Sequence, residues 1–124
     1  MIKFSTEKVL LLHKFLIQET GGSQGVRDVG LLDSAVNAAY ATFDGQELFP
    51  TKEEKAAKIG YSLISNHAFV DGNKRIGMYI MLTFLEINGI SLNLKEGETA
   101  DVGLKLADGK YSEKELLDWI IEHE

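Results

Sequence analysis

Residues His67 to Arg75 read His-Ala-Phe-Val-Asp-Gly-Asn-Lys-Arg, which gathers a base, a carboxylate, a flexible glycine and two cations into one short stretch. Each residue type has a chemical use. A neutral His67 imidazole can take a proton from an attacking hydroxyl near physiological pH. Asp71 can share Mg²⁺ with phosphate oxygens, the usual way this ion is held. Gly72 can adopt positive φ and lets the backbone approach a phosphate closely. Asn73 can cap the following helix and hold the loop's shape. Phe69 is apolar and points into the core, anchoring its neighbours. N–H groups from Gly72 to Lys74 can form an anion nest, and Lys74 and Arg75 can neutralise charge on transferring phosphate oxygens.

Lys74 and Arg75 fall in the first turn of the helix that follows. Cations there oppose the positive end of the helix dipole. An anion bound at that N-terminus would resolve the conflict, since free N–H groups make it a phosphate site. The bland alternative is an ordinary Asp-Gly-Asn turn between helices with a histidine at a helix C-cap. It leaves the two cations unexplained. Other motifs fail: there is no Gly-x-x-x-x-Gly-Lys-Ser/Thr, no glutamate completing an EF-hand loop and no histidine pair at zinc spacing.

The surrounding pattern supplies the elements that position this loop. A first helix begins near Ser5 or Thr6, carries Val9, Leu12, Phe15 and Leu16, and stops at Gly21-Gly22. Asp28 caps a second, with Leu31, Leu32, Ala35, Val36 and Ala39 on its apolar face. Asp44-Gly45, between Phe43 and Leu48, is a hairpin signal and makes Phe43–Phe49 either a small β-flap or a plain loop. Thr51 and Glu54 form a capping box opening a helix to about Asn66, with Ala56, Ile59, Leu63 and Ile64 inward. After the motif, Ile76, Ile80, Met81, Phe84, Leu85 and Ile87 mark the most apolar helix, expected to be central and to end at Asn88-Gly89. A weaker helix runs from about Thr99 to Ala107. Ser112 and Glu115 open the last, which carries Leu116, Trp119 and Ile120. The fold class is all-α, a compact bundle of about six helices in a single domain over residues 1–124.

The remaining chemistry-bearing residues read as structural. His13 is a surface or partly buried residue, His123 frays at the terminus, and Trp119 and the Met78/Met81 pair pack. Glu53, Glu54, Lys55 and Lys58 form a solvated helix face. Net charge is −6 with pI about 5.1, which argues against general affinity for nucleic acid or an anionic membrane. With no cysteine, disulfides and thiolate chemistry are excluded. There is no membrane-spanning run and no convincing signal peptide, so the expected location is the cytoplasm.

The nine-residue loop resembles the signature of the Fic/Doc superfamily, written His-x-Phe-x-Asp/Glu-Gly-Asn-Gly-Arg in its larger, nucleotide-transferring branch. Lys74 replaces the last glycine, as in the Doc, or death-on-curing, branch of bacterial toxin–antitoxin modules. The stretch Gly21–Ala35 is similar to that branch as well. The resemblance implies His67 as catalytic base, Asp71 as Mg²⁺ ligand, and Gly72, Asn73, Lys74 and Arg75 as the nucleotide- and phosphate-binding, charge-neutralising part. It implies a target-positioning flap at Phe43, Asp44, Gly45 and Leu48, working by strand addition.

Doc-type members are understood to transfer the γ-phosphate of ATP to a hydroxyl of a translation elongation factor, which arrests translation. A lysine at 74 would crowd the pose used for AMP transfer, and Met78 stands where the larger branch often has an arginine for the γ-phosphate. The resemblance therefore implies ATP with Mg²⁺, a kinase-like reaction, and a cognate antitoxin whose segment folds over a groove beside the site. No Ser/Thr-x-x-x-Glu inhibitory helix is evident. The alternatives are an AMP-transferring enzyme on the same fold and a catalytically silent partner-binding module.

Overall fold

Four helices start by one local device: a short polar side chain accepts from the backbone N–H three residues on. Ser5 accepts from Lys8, Asp28 from Leu31, Thr51 from Glu54 and Ser112 from Glu115. At Thr51 and Ser112 the glutamate returns the bond, closing both capping boxes. The computed structural model describes residues 1–124. In order they form α1 (Thr6–Thr20), α2 (Val29–Asn37), a 3-10 turn (Ala38–Tyr40), β1 (Thr42–Phe43), β2 (Gln46–Glu47), α3 (Lys52–Ser65), α4 (Asn73–Ile87), α5 (Glu98–Ala107) and α6 (Glu113–Glu122). The architecture is an all-α bundle of six helices with a small antiparallel hairpin.

That hairpin resolves the choice left open by the Asp44-Gly45 signal. Thr42 pairs with Glu47 and Phe43 with Gln46. Asp44 and Gly45 lie at φ 52° and 77°, as a type I′ turn demands. The hairpin stands clear of the core, with Phe43 76% exposed.

The core is one cluster of 23 buried apolar residues. α4 is strongly apolar, yet α3 holds the centre, packing against α2, α4, α5 and α6. Gly60 and Gly77 set the α3–α4 approach. A Cβ on Gly77 would lie 2.5 Å from Ile64 Cγ1 and 3.1 Å from the Gly60 carbonyl oxygen, so no larger residue fits that crossing.

Several sequence expectations need correction. The buried stripe of α1 is Val9, His13 and Ile17, spaced by four, with Leu12 and Leu16 beside it, while Phe15 is 57% exposed. Ile87 turns outward at the end of α4. His13 is fully buried. Lys55 is not solvated: its side chain is buried and its ammonium donates to Glu47 Oε1 at 2.9 Å and to the Phe49 carbonyl. Both contacts tie the hairpin base to α3. Neither Lys58 nor Glu54 is free, since Lys58 pairs with Glu113 at 3.0 Å and Glu54 closes the cap. His123 does not fray: one ring nitrogen lies 2.7 Å from the Trp119 carbonyl and the other 2.6 Å from Glu98 Oε2, joining α5 to α6.

Candidate functional site

α3 ends at Ser65 with Asn66 as its C-cap, α4 starts at Asn73, and the motif is the link between them. His67 sits just past the α3 C-cap at φ 49°. A non-glycine residue there carries a backbone cost of about 1 kcal/mol, though histidine tolerates it better than most. Arg27, from the α1–α2 loop, holds this turn by donating to the His67 carbonyl at 2.6 Å and the Asn66 carbonyl at 3.1 Å. The His67 ring is exposed and takes part in no hydrogen bond within the protein.

From Ala68 to Val70 the loop pairs with Gly25–Arg27. Arg27 N–H donates to the Ala68 carbonyl at 2.8 Å and Val70 N–H to the Gly25 carbonyl at 3.1 Å, forming a bridge between Val26 and Phe69. Phe69 is buried, as expected. Asn73 grips it from within: its amide oxygen accepts from Phe69 N–H and its amide nitrogen donates to the Phe69 carbonyl, each at 3.0 Å. Asn73 therefore shapes the loop but does not cap α4. The N-cap is Gly72 at φ 77°, which offers no side chain to the helix. Any Cβ there would also meet Ile17 Cδ1 at 2.8 Å.

Asp71 is held at both carboxylate oxygens. One carboxylate oxygen accepts from Ser23 N–H at 3.0 Å and the other from Gly72 N–H at 2.8 Å, with Arg75 at 3.7 Å. The Ser23 and then the Gly72 N–H bonds hold its carboxyl below the ordinary value of 3.8, helped by Arg75. A depressed folded-state value means that the ionised form stabilises the fold above that ordinary value, and that this contribution is lost as pH falls through the folded-state one. In urea unfolding from about pH 5 downward, wild type should therefore lose stability more steeply than Asp71→Asn. Parallel curves for the two proteins would contradict these bonds.

The two cations behave differently. Arg75 leans on the C-terminal end of α1, donating to Thr20 Oγ1 and the Gly21 carbonyl at 2.6 Å each. Its position is thus explained within the protein: the negative end of α1 and Asp71 compensate it. Lys74 is exposed and has no ion-pair partner. The N–H groups of Asn73, Lys74 and Arg75 have no acceptor in the protein, so the first turn of α4 is open. Beside it, a groove of about 580 Å³ lies between α1, α4 and α5. Lys74, Arg75 and Thr20 line its polar part, Leu16, Met78 and Leu82 its apolar part, and Gly97, Thr99, Ala100 and Gly103 its α5 wall.

The network thus unites Asp71, Gly72, Asn73 and Arg75, whereas the side chains of His67 and Lys74 stand free at its edges. The hairpin residues Phe43, Asp44, Gly45 and Leu48 are exposed and form no hydrogen bond to the loop. Sequence reasoning gives no role at the site to His13, Gly22, Ser23 or Lys55. Nε2 of His13 lies 2.8 Å from the Asp71 carbonyl oxygen, and its ring stacks on Phe69 at 3.7 Å between centroids. Its signal was available, because it sits midway between Val9 and Ile17 on the inward face of α1. Nothing local marked Ser23, which reaches Asp71 across 48 residues.

The family model of the Fic/DOC family matches residues 3–85, from α1 through most of α4, and the chain belongs to that family. It is also similar to Toxin Doc of Mycolicibacterium smegmatis, being 50% identical over 72 residues. That match covers 58% of this chain and 55% of the relative, so the chain spans only about half the length of that curated protein. No helix is long and apolar enough to cross a membrane.

Proposed function

We propose that the chain is a Doc-type toxin kinase, moving the γ-phosphate of ATP onto a hydroxyl side chain of a translation elongation factor and so arresting translation in the cytoplasm. The observation that carries this is the open first turn of α4, with three unpaired N–H groups and an unpaired Lys74, set directly after a rigidly held Asp71. That arrangement is an anion cradle with a carboxylate beside it.

Asp71 fits a shared Mg²⁺. Each of its oxygens accepts one N–H and keeps further acceptor capacity. One carboxylate together with substrate phosphates is the common arrangement for that ion, and no cluster of three ligating side chains is needed. When bound, the ion would neutralise phosphate charge and fix its direction. The rest is the work of the chain. The helix N-terminus and Lys74 hold the phosphates. The target hydroxyl oxygen attacks the γ-phosphorus, its proton passes to the His67 ring, and the bond to the β,γ-bridging oxygen breaks to release ADP. Arg75 sets the direction of α4 against α1 and steadies Asp71. Phe43, Asp44, Gly45 and Leu48 form the flap that adds a strand from the target. The groove between α1, α4 and α5 is where the segment of a cognate antitoxin folds.

The test is label transfer in a bacterial lysate with Mg²⁺, comparing ATP labelled at the γ- and α-phosphates. A protein band labelled only from the γ position is expected. A band labelled from the α position would make the chain an AMP-transferring enzyme and overturn the reading of Lys74. No band from folded protein in either lane would favour a silent binding module.

A further inference from the structure

We infer that His13 is a positioning residue for the phosphate loop: it locks the Asp71–Gly72 peptide plane and thereby aims the Asp71 carboxylate. The inference rests on the reading of that loop as the site that holds Mg²⁺ and phosphate.

One peptide group links His13 to the carboxylate. His13 Nε2 is 2.8 Å from the Asp71 carbonyl oxygen. A carbonyl oxygen only accepts, so Nε2 carries the proton and donates it. The peptide bond is planar and trans, so fixing its oxygen also fixes the N–H on its opposite side. That N–H belongs to Gly72, and it donates to Asp71 Oδ1 at 2.8 Å. Holding the oxygen therefore holds one of the two bonds that orient the carboxylate. The same plane leads into Gly72 at φ 77°, the residue that starts the open turn of α4.

His13 is itself rigid. It is 2% exposed, lies between Val9 and Ile17 in the buried stripe of α1, and stacks on Phe69 with ring planes 9° apart. Phe69 is in turn clamped at both backbone atoms by Asn73. A buried, stacked ring has no rotameric freedom to spend, so its donor stays aimed at one acceptor. No other side chain hydrogen-bonds the main chain of Asp71. Because His13 reaches the loop through the Asp71 carbonyl and the Phe69 ring, it orients the chemistry without touching the reacting atoms.

The decisive comparison is His13→Gln with His13→Asn. Both are neutral amides, but the glutamine Nε2 reaches the position of the imidazole Nε2, whereas the shorter asparagine does not. Binding of Mn²⁺ with ATP, followed by electron paramagnetic resonance, should weaken about 10–100-fold in His13→Asn, as for other residues that orient a ligand from outside. His13→Gln should remain within about threefold of wild type, since the donor is restored. Hydrogen exchange at Gly72 should accelerate in His13→Asn and stay slow in His13→Gln. In the wild type, ring ¹⁵N spectra should show the proton on Nε2.

Equal losses in both variants, or unchanged Gly72 exchange in His13→Asn, would overturn the assignment, as would a neutral ring protonated only on Nδ1. Wild-type protein that binds no Mn²⁺ and ATP would instead overturn the functional reading. In that case Gly72 exchange and the ring spectrum still decide the role of His13. If His13→Asn fails to fold, His13→Gln against wild type decides, because loss of Gly72 protection with the donor restored contradicts the mechanism.

Discussion

His67→Asn should lose phosphoryl transfer by about 10²–10⁴-fold, the usual contribution of a positioned general base, while the protein melts almost as wild type does. The separation of the two effects follows from where the ring lies. It is exposed and makes no hydrogen bond, so its replacement breaks no hydrogen bond in the fold. What the position does require is a residue that accepts φ near 49°. Asparagine is among the few non-glycine residues that visit this region readily, so it is a cleaner variant than alanine. Arg27 would continue to hold the turn through the carbonyls of residues 66 and 67, which the substitution leaves in place. ATP binding should persist, because the open first turn proposed to hold the phosphates lies on the α4 side of the loop. Transfer at the wild-type rate by a folded His67→Asn protein would remove His67 as the base.

What the sequence made legible here is what is local. Caps at Ser5, Asp28, Thr51 and Ser112 act over three residues, and each opened a helix where expected. Asp44-Gly45 dictates its own turn, which is why a hairpin is one of the two readings the segment allows. The motif loop announced its own composition, and family membership follows from its pattern. The tertiary grip on that loop was hidden. Asp71 is held by Ser23 and His13 across 48 and 58 residues, and nothing in the motif names those partners. Lys55 and His13 mislead for one reason: residue type alone points a polar side chain outward. Both lie in line with buried neighbours, His13 with Val9 and Ile17, Lys55 with Ile59 and Leu63. A polar residue inside such a stripe signals a buried hydrogen bond, because leaving it unpaired there would be costly. The two first-turn cations differ in what the fold offers them. Arg75 is answered by α1 and Asp71, and only Lys74 still calls for an anion.

Gly22→Ala should cost activity out of proportion to stability, although the residue lies in an exposed loop far from the motif in sequence. A Cβ at Gly22 would stand 2.5 Å from Asp71 Oδ2, 3.0 Å from Arg75 Nη2 and 3.3 Å from Asp71 Cγ. The carboxylate must yield, and in yielding it leaves the Ser23 N–H that holds it. Misplacement by about 1 Å at a reacting centre is worth about 10²-fold in rate. Backbone strain adds to this, since Gly22 sits at φ 120°, and would by itself lower stability by about 1 kcal/mol. Gly21 separates the two effects. It too has positive φ, 87°, but an added Cβ there meets nothing within 4 Å. Gly21→Ala should therefore show the backbone stability loss with near wild-type turnover, and Gly22→Ala a somewhat larger loss, since the Ser23 bond goes too, with turnover down by about two orders of magnitude. Paired measurements of kcat and Tm on the two variants decide the matter. If both lose activity equally, the loop acts on the site through its backbone alone. If only Gly22→Ala does, the α1–α2 loop and the motif form one site in which a missing side chain leaves room for the Asp71 carboxylate.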